Sequence, residues 1–148
     1  MAQTVFLSQP VNITVPTVLD LTTTAGGLNN VNFNTTALLD NGITLTNATT
    51  FTYSSNKAWY VTIKAASANF SGSSSTPMPA SVIQYRLNGS GGSFTALSAT
   101  AASLTGTTGT KNTRGTSTIG VDFFLNPGYV YAPATDYTIT INYTISNL

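Results

Sequence analysis

The sequence predicts an all-β protein, a single immunoglobulin-like or Greek-key β-sandwich of about seven to nine strands. Residues 137–145 read YTITINYTI, with every odd position apolar and every even position polar. This is the pattern of a strand with one face in a core and the other in water. Thr, Ser and Asn supply 28, 15 and 14 of the 148 residues; Thr favours strands, whereas Ser and Asn favour turns. A jelly roll is the nearest competing architecture.

Nine segments have the alternation or the β-branched, apolar composition of strands. In the segment that contains Trp59, the residues expected to face the core are Trp59, Val61 and Ile63. The long segment 43–53 contains Asn47, where a break in the strand is expected. The predicted strands are residues 11–15, 17–21, 31–34, 43–53, 58–65, 82–87, 93–97, 118–125 and 137–145.

The stretches between these segments have turn chemistry. Residues 40–42 (Asp-Asn-Gly) and 126–128 (Asn-Pro-Gly) are typical of tight turns. Residues 88–92 (Asn-Gly-Ser-Gly-Gly) predict a hairpin loop between two strands. Two longer stretches, 71–79 and 105–116, are predicted to be exposed loops.

The chain length and the absence of any internal repeat fit one domain with an N-terminal extension. Proline cannot donate to a strand ladder, so Pro10 and Pro16 each mark a strand end or a sheet edge. We therefore predict that residues 1–10 are an extension and a candidate donor strand, and that residues 11–148 are the sandwich domain.

Charged and reactive groups are scarce. Charged residues make up 6% of the chain, the net charge is +1, and the sequence has no Cys, no His and no Glu. Cys, His and Glu are the residues most often used for acid–base catalysis, as nucleophiles and as metal ligands. Because all three are absent, we predict no enzyme activity, no metal and no cofactor. The few basic residues form no cluster for nucleic acid, and no apolar run is long enough to span a membrane.

Two aromatic residues, Tyr129 and Tyr131, are a possible glycan contact. Tyr129 and Tyr131 flank Val130 between two proline-containing turns. Aromatic rings in that position can stack on a sugar, and they can equally be half-buried tyrosines at the rim of a strand.

Several segments resemble bacterial surface and fimbrial β-sandwich subunits. Residues 132–145 (APATDYTITINYTI) are similar to the ending of those domains, and residues 54–63 (SSNKAWYVTI) are similar to their tryptophan-containing strand. Residues 83–87 (IQYRL) and 11–21 (VNITVPTVLDL) are similar to an internal strand and to the opening strand. The chain lacks the cysteine pair that many subunits of the chaperone–usher class carry.

The resemblance implies a structural subunit of an extracellular, cell-surface filament of the pilus type, in which the partner of each chain is another copy of itself. In such filaments an extended donor strand of one subunit completes the open sheet edge of the next. The alternative is that residues 5–7 and residues 11–15 together are the first strand of the domain itself, bent at Pro10. The predicted donor residues are Val5, Phe6, Leu7, Val11, Ile13 and Val15.

Two other functions are compatible with the same composition. A virion protein, such as a capsid decoration or a fibre, would use the same sandwich without catalytic groups. A carbohydrate-binding adhesive module would use Tyr129, Tyr131 and the neighbouring loops to contact a surface glycan.

Overall fold

The computed structural model describes residues 1–5, 7–26 and 28–148, and only the backbone of residues 24–26. The described residues form eight strands in two antiparallel sheets, so the predicted all-β sandwich is confirmed. A short helix α1 spans Thr36–Asn41, and a 3₁₀ turn spans Ala80–Val82.

The larger sheet has five strands in the order β1-β2-β7-β4-β5. These strands are β1 (Leu19–Gly26), β2 (Ile43–Ser55), β4 (Ile83–Leu87), β5 (Thr95–Ala96) and β7 (Gly115–Leu125). The smaller sheet has three strands in the order β6-β3-β8: β6 (Ala102–Thr105), β3 (Tyr60–Ala65) and β8 (Ile141–Ser146). Because the smaller sheet has fewer strands, it covers only part of the inner face of the larger one.

The core lies between the two sheets. Trp59, Val61 and Ile63 are all buried, as the odd parity of this segment predicts. The indole Nε1 of Trp59 donates a hydrogen bond to the carbonyl of Thr113 at 2.9 Å, so its polar group is satisfied. Across the core, these residues pack against Phe51 and Phe123 from the larger sheet.

Some elements differ from the sequence prediction. Residues 11–15 and 31–34 belong to no strand, whereas the short strand β6 and the helix α1 lie where none was predicted. The helix is only six residues long, too short to give a hydrophobic period. It begins after Thr35, whose hydroxyl accepts a hydrogen bond from the backbone of Leu38, and ends at Gly42 with φ +73°.

The predicted break at Asn47 is present as an irregularity in β2. The pairing register of β2 with β7 shifts between Leu45 and Thr49. Asn47 itself has φ +52°, and its backbone N–H leaves the ladder to donate to the Oδ1 atom of Asp122 at 2.8 Å. The predicted hairpin at 88–92 joins β4 to β5, with positive φ at Gly89 and Gly91.

The sandwich has two distinct ends. At one end, called here the N-terminal pole, β1 begins at Leu19 opposite Ser55, and β8 finishes at Ser146 opposite Tyr60. At the other end, the loop pole, β1 and β7 finish and β8 begins. The long connections 28–35, 66–79 and 126–140 all lie at the loop pole.

Candidate functional site

One edge of β8 is open. β8 pairs with β3 on one side, and no strand of the described residues pairs with it on the other. The N–H of Ala66 donates to the carbonyl of Thr140 at 2.8 Å, which places the polar backbone groups of even-numbered residues on the β3 side. The N–H and C=O groups of Ile139, Ile141 and Tyr143 therefore point to the open edge.

A large groove runs beside this open edge, between the two sheets. Its volume is about 1810 Å³, beyond the roughly 300–1,000 Å³ of typical small-molecule pockets. Its floor includes Ile83 and Leu125 of the larger sheet and Ile141 and Tyr143 of β8. At the loop pole its walls include Leu28, Val31, Phe33 and Phe70. The lining is mainly apolar, with asparagines and serines among the loops of the loop pole, and the size of the groove suits a peptide.

The groove explains why the apolar face of β8 is incompletely covered. Ile139, Ile141, Tyr143 and Ile145 all pack against the core, yet each is only half-buried. The ring of Tyr143 lies 4.4 Å from that of Phe51, measured between centroids. Burial raises the pKa of Tyr143 to about 12, although a hydrogen bond with Thr49 opposes this shift.

The groove opens at the loop pole. Its lining on β1 and β8 comprises Thr23, Ile141 and Tyr143. All three lie in the halves of those strands nearer the loop pole. No described residue of β1 or β8 nearer the N-terminal pole lines the groove. An added strand would therefore enter from the loop pole.

The N-terminal extension is longer than the sequence predicts, since no secondary structure precedes Leu19 in the described residues. Five apolar side chains of the extension are strongly exposed: Val5 (83%), Leu7 (96%), Val11 (74%), Ile13 (80%) and Val15 (74%). Phe6, also predicted to be a donor residue, lies outside the described residues. So many exposed apolar side chains on one segment are typical of an interaction surface.

Asn56 holds the base of the extension against the N-terminal pole. Its side-chain amide donates to the carbonyl of Pro16 at 2.7 Å and its Oδ1 accepts from the N–H of Val18 at 2.9 Å. Its backbone N–H donates to the carbonyl of Val18. These three bonds fix residues 16–18, so the extension leaves the sandwich in a defined place.

The two tyrosines predicted as a glycan contact lie at the mouth of the groove. The hydroxyl of Tyr129 donates to Asp40 Oδ1 at 2.9 Å and approaches the carbonyl of Thr36 at 3.3 Å. The hydrogen bond to Asp40 is the main cause that raises the pKa of Tyr129. Tyr129 thus ties the loop before β8 to helix α1, and its role with Tyr131 in glycan binding stays a prediction.

Sequence reasoning missed the groove itself. Its walls come from loops that are distant in the sequence, including Val31 and Phe33 in one loop and Phe70 and Met78 in another. The available signal was the presence of large apolar residues in segments between strands. Among these segments, residues 31–34 have the composition of a strand, and the sequence therefore predicts one there instead of a groove wall.

The sequence matches no protein-family model and no curated protein. Across the described part of the chain, no three Asp, Glu, His or Cys side chains come together as a metal site would require. None of the helices in the described residues has the length and hydropathy needed to cross a membrane. A functional proposal therefore rests on the groove and the extension.

Proposed function

We propose that this protein is a structural subunit that polymerises head to tail into an extracellular filament of the pilus type. The N-terminal extension of each copy adds a strand to the groove of the next. The supporting observation is that one molecule has both an apolar segment with no place in its own sandwich and an apolar groove beside an open strand edge. The extracellular placement follows from the resemblance to bacterial surface subunits.

The extension and the groove are complementary in chemistry. Backbone N–H and C=O groups at the open edge of β8 would pair with those of an added strand. Apolar side chains on one face of that strand would cover the half-buried Ile141 and Tyr143. Each aliphatic side chain that becomes fully buried contributes about 1.5–3 kcal/mol.

The positions of the two features favour exchange between copies over insertion within one. The extension leaves at the N-terminal pole, where Asn56 holds its base, whereas the groove opens at the loop pole. To reach its own groove, the chain would have to reverse and travel the length of the sandwich. A neighbour stacked with its loop pole against the N-terminal pole receives the same segment without a reversal.

Such a contact joins two different surfaces, so it does not close on itself as a two-fold dimer does. Repetition of a head-to-tail contact gives an open chain of subunits. The net charge of +1 leaves little repulsion between copies. A filament is therefore the assembly that this arrangement favours.

The proposal is tested by deletion of residues 2–15. The complete chain should form filaments visible by electron microscopy, and the truncated chain should remain monomeric by light scattering. Circular dichroism should give the same β-sheet spectrum for both, which separates loss of assembly from loss of folding. Filaments from the truncated chain, or a complete chain that stays monomeric at millimolar concentration, would contradict the proposal.

A further inference from the structure

We infer which part of the extension enters the groove, and in which register: residues 11–15 run antiparallel to β8, with Val11, Ile13 and Val15 opposite Tyr143, Ile141 and Ile139. This inference rests on the proposed function and adds to it the identity and direction of the inserted strand. It follows from the polarity of the sandwich, from the parity of β8 and from the length of the groove.

The direction follows from the two poles. The donor subunit stands at the loop pole of its neighbour, so Val15 lies near the mouth of the groove and Val11 lies deeper. The inserted strand therefore runs, from Val11 to Val15, toward the loop pole. β8 runs from Ile141 at the loop pole to Ser146 at the N-terminal pole. The two strands are consequently antiparallel.

The parity follows from the side chains of β8. Directly opposite residues of an antiparallel pair place their side chains on the same face. The odd residues of β8 face the groove, so the donor residues opposite them must be apolar. Val11, Ile13 and Val15 meet this condition, and the intervening Asn12 and Thr14 fall opposite Asn142 and Thr140 on the solvent side. Both Asn142 and Thr140 are exposed in the free subunit.

The register follows from which residue of the inserted strand would lie at the deep end of the groove, opposite Tyr143. In the inferred register Val11 lies opposite Tyr143, the last residue of β8 that lines the groove. A shift of two residues toward the mouth would place Gln9 opposite Tyr143 and bury its amide there. The opposite shift would place Val11 opposite Ile145, beyond the groove lining. The inferred register is the one that places three apolar residues, and no polar one, in the groove.

The apolar residues nearer the terminus do not fit the groove as well. If Val5 and Leu7 filled it, residues 11–15 would become a linker with three aliphatic side chains in water. Pro10, which has no N–H to donate, instead marks the point where the inserted strand ends. Residues 1–9 then lie beyond the groove and are not needed to fill it.

Engineered cysteine pairs test the register, because the natural chain has no cysteine. The pairs Thr14/Thr140 and Asn12/Asn142 would be non-hydrogen-bonded pairs of the new ladder, with Cα atoms about 4.5 Å apart, within disulfide range. We expect Thr14→Cys/Thr140→Cys, and separately Asn12→Cys/Asn142→Cys, to give covalent ladders from oxidised filaments on a non-reducing gel. Each single cysteine variant is the control, and should give dimers at most.

Shifted pairs provide the contrary outcome. Asn12→Cys/Thr140→Cys and Thr14→Cys/Asn142→Cys place the sulfur atoms two residues out of register. If only one of these two variants gives a covalent ladder on the gel, the inserted strand is shifted by two residues. If both variants give a covalent ladder, the inserted strand is parallel to β8. Either result overturns the inferred register while leaving the proposed function intact. Failure of every variant and of the natural chain to form filaments overturns the proposed function as well.

A second measurement separates the two apolar parts of the extension. Deletion of residues 2–9 should leave filament formation intact, and Ile13→Asp should abolish it. Asn12→Asp is the matched control, since it adds the same charge one residue away on the solvent face and should still assemble. Loss of filaments on deletion of residues 2–9, with Ile13→Asp still assembling, would assign the groove to Val5 and Leu7 instead.

Discussion

Asp122 carries a buried charge on the outer face of β7. Its side chain is 2% exposed, and it accepts hydrogen bonds from the Asn88 amide at 2.8 Å and from Arg86 Nε at 3.1 Å. The backbone N–H of Asn47 provides a third bond. Asp122 alternates along β7 with the core residues Val121 and Phe123, so the sequence pattern predicts that it faces away from the core. The pattern cannot reveal that Arg86, Asn88 and the irregularity at Asn47 cover this position, because those residues come from other segments.

The pKa of Asp122 reflects two opposing influences. Burial disfavours the carboxylate and raises the pKa, but the hydrogen bonds from Asn47, Asn88 and Arg86, with the Arg86 charge, outweigh it. The folded protein therefore holds the pKa of Asp122 below its ordinary value of 3.8. The unfolded chain binds the proton more readily, so this stabilisation is complete above pH 3.8 and is lost as the pH falls through the lowered pKa.

We expect Asp122→Asn to lower the free energy of unfolding by about 1.5–3 kcal/mol at pH 7, because Arg86, which is itself 32% exposed, loses its charged hydrogen-bond acceptor. The variant should also lose part of the decline in stability below pH 4. Urea unfolding at pH 7 and pH 3 measures both effects. Asp20→Asn is the control: Asp20 is exposed and its carboxylate accepts a bond from the Thr22 hydroxyl at 3.3 Å. A similar loss in both variants would contradict the assigned role of Asp122.

The junction of helix α1 with β2 depends on Gly42. This residue has φ +73° and ψ −178°, a conformation that is essentially restricted to glycine. A Cβ atom there would lie 2.7 Å from the carbonyl oxygen of Leu125 and equally close to the ring of Phe124. The sequence predicts a tight turn at residues 40–42, but Asp40 and Asn41 belong to helix α1. The chain leaves the helix at Gly42, which is held by its backbone conformation and by close packing together.

We expect Gly42→Ala to destabilise the fold by about 3 kcal/mol, from backbone strain plus overpacking. Gly89→Ala is the matched control, since Gly89 has φ +74° but nothing within 4 Å of the added Cβ. Gly89→Ala should lower the free energy of unfolding only through backbone strain, by about 1–2 kcal/mol. Thermal unfolding of the two variants measures the difference. Equal losses of stability in the two variants would mean that the close approach of the added Cβ to Leu125 and Phe124 does not destabilise the fold.

The strands that could be predicted from the sequence are those in which apolar and polar residues alternate most regularly. β3, β4, β7 and β8 have clear alternation, and each begins within four residues of its predicted start. β6 has only four residues and no charge or proline to mark it. The interpretation of residues 11–15 as a strand had the right pattern, but in the isolated chain this segment has no partner. Alternation indicates that one face of a segment must be buried, but it does not indicate which surface covers that face.

In the proposed assembly, the groove of one molecule and the extension of the next are two halves of one feature. The smaller sheet stops at β8 with its apolar face half-buried, and the chain carries a segment with matching alternation outside its own sandwich. The candidate donor residues could be selected from the sequence because their alternation is a local pattern, and their role stays a prediction. The groove could not be predicted, because it forms where loops such as 28–35 and 126–140 meet the uncovered side of β8. Recognition of the groove required the three-dimensional arrangement.

A head-to-tail filament has two unlike ends, and each can be blocked separately. The chain without residues 2–15 can receive a strand but not donate one, so added in small amounts it should shorten filaments in proportion to its fraction. Ile139→Asp should block the other end, so that this variant can donate a strand but cannot receive one. Ile139 lines the groove, and a carboxylate beneath an inserted strand would lose its hydration. Neither variant should polymerise alone, yet a mixture of the two should form one-to-one dimers by analytical ultracentrifugation, because each has the half that the other lacks. Thr140→Asp, adjacent but exposed to solvent, is the control and should polymerise normally. A mixture that remains monomeric would show that extension and groove do not bind each other.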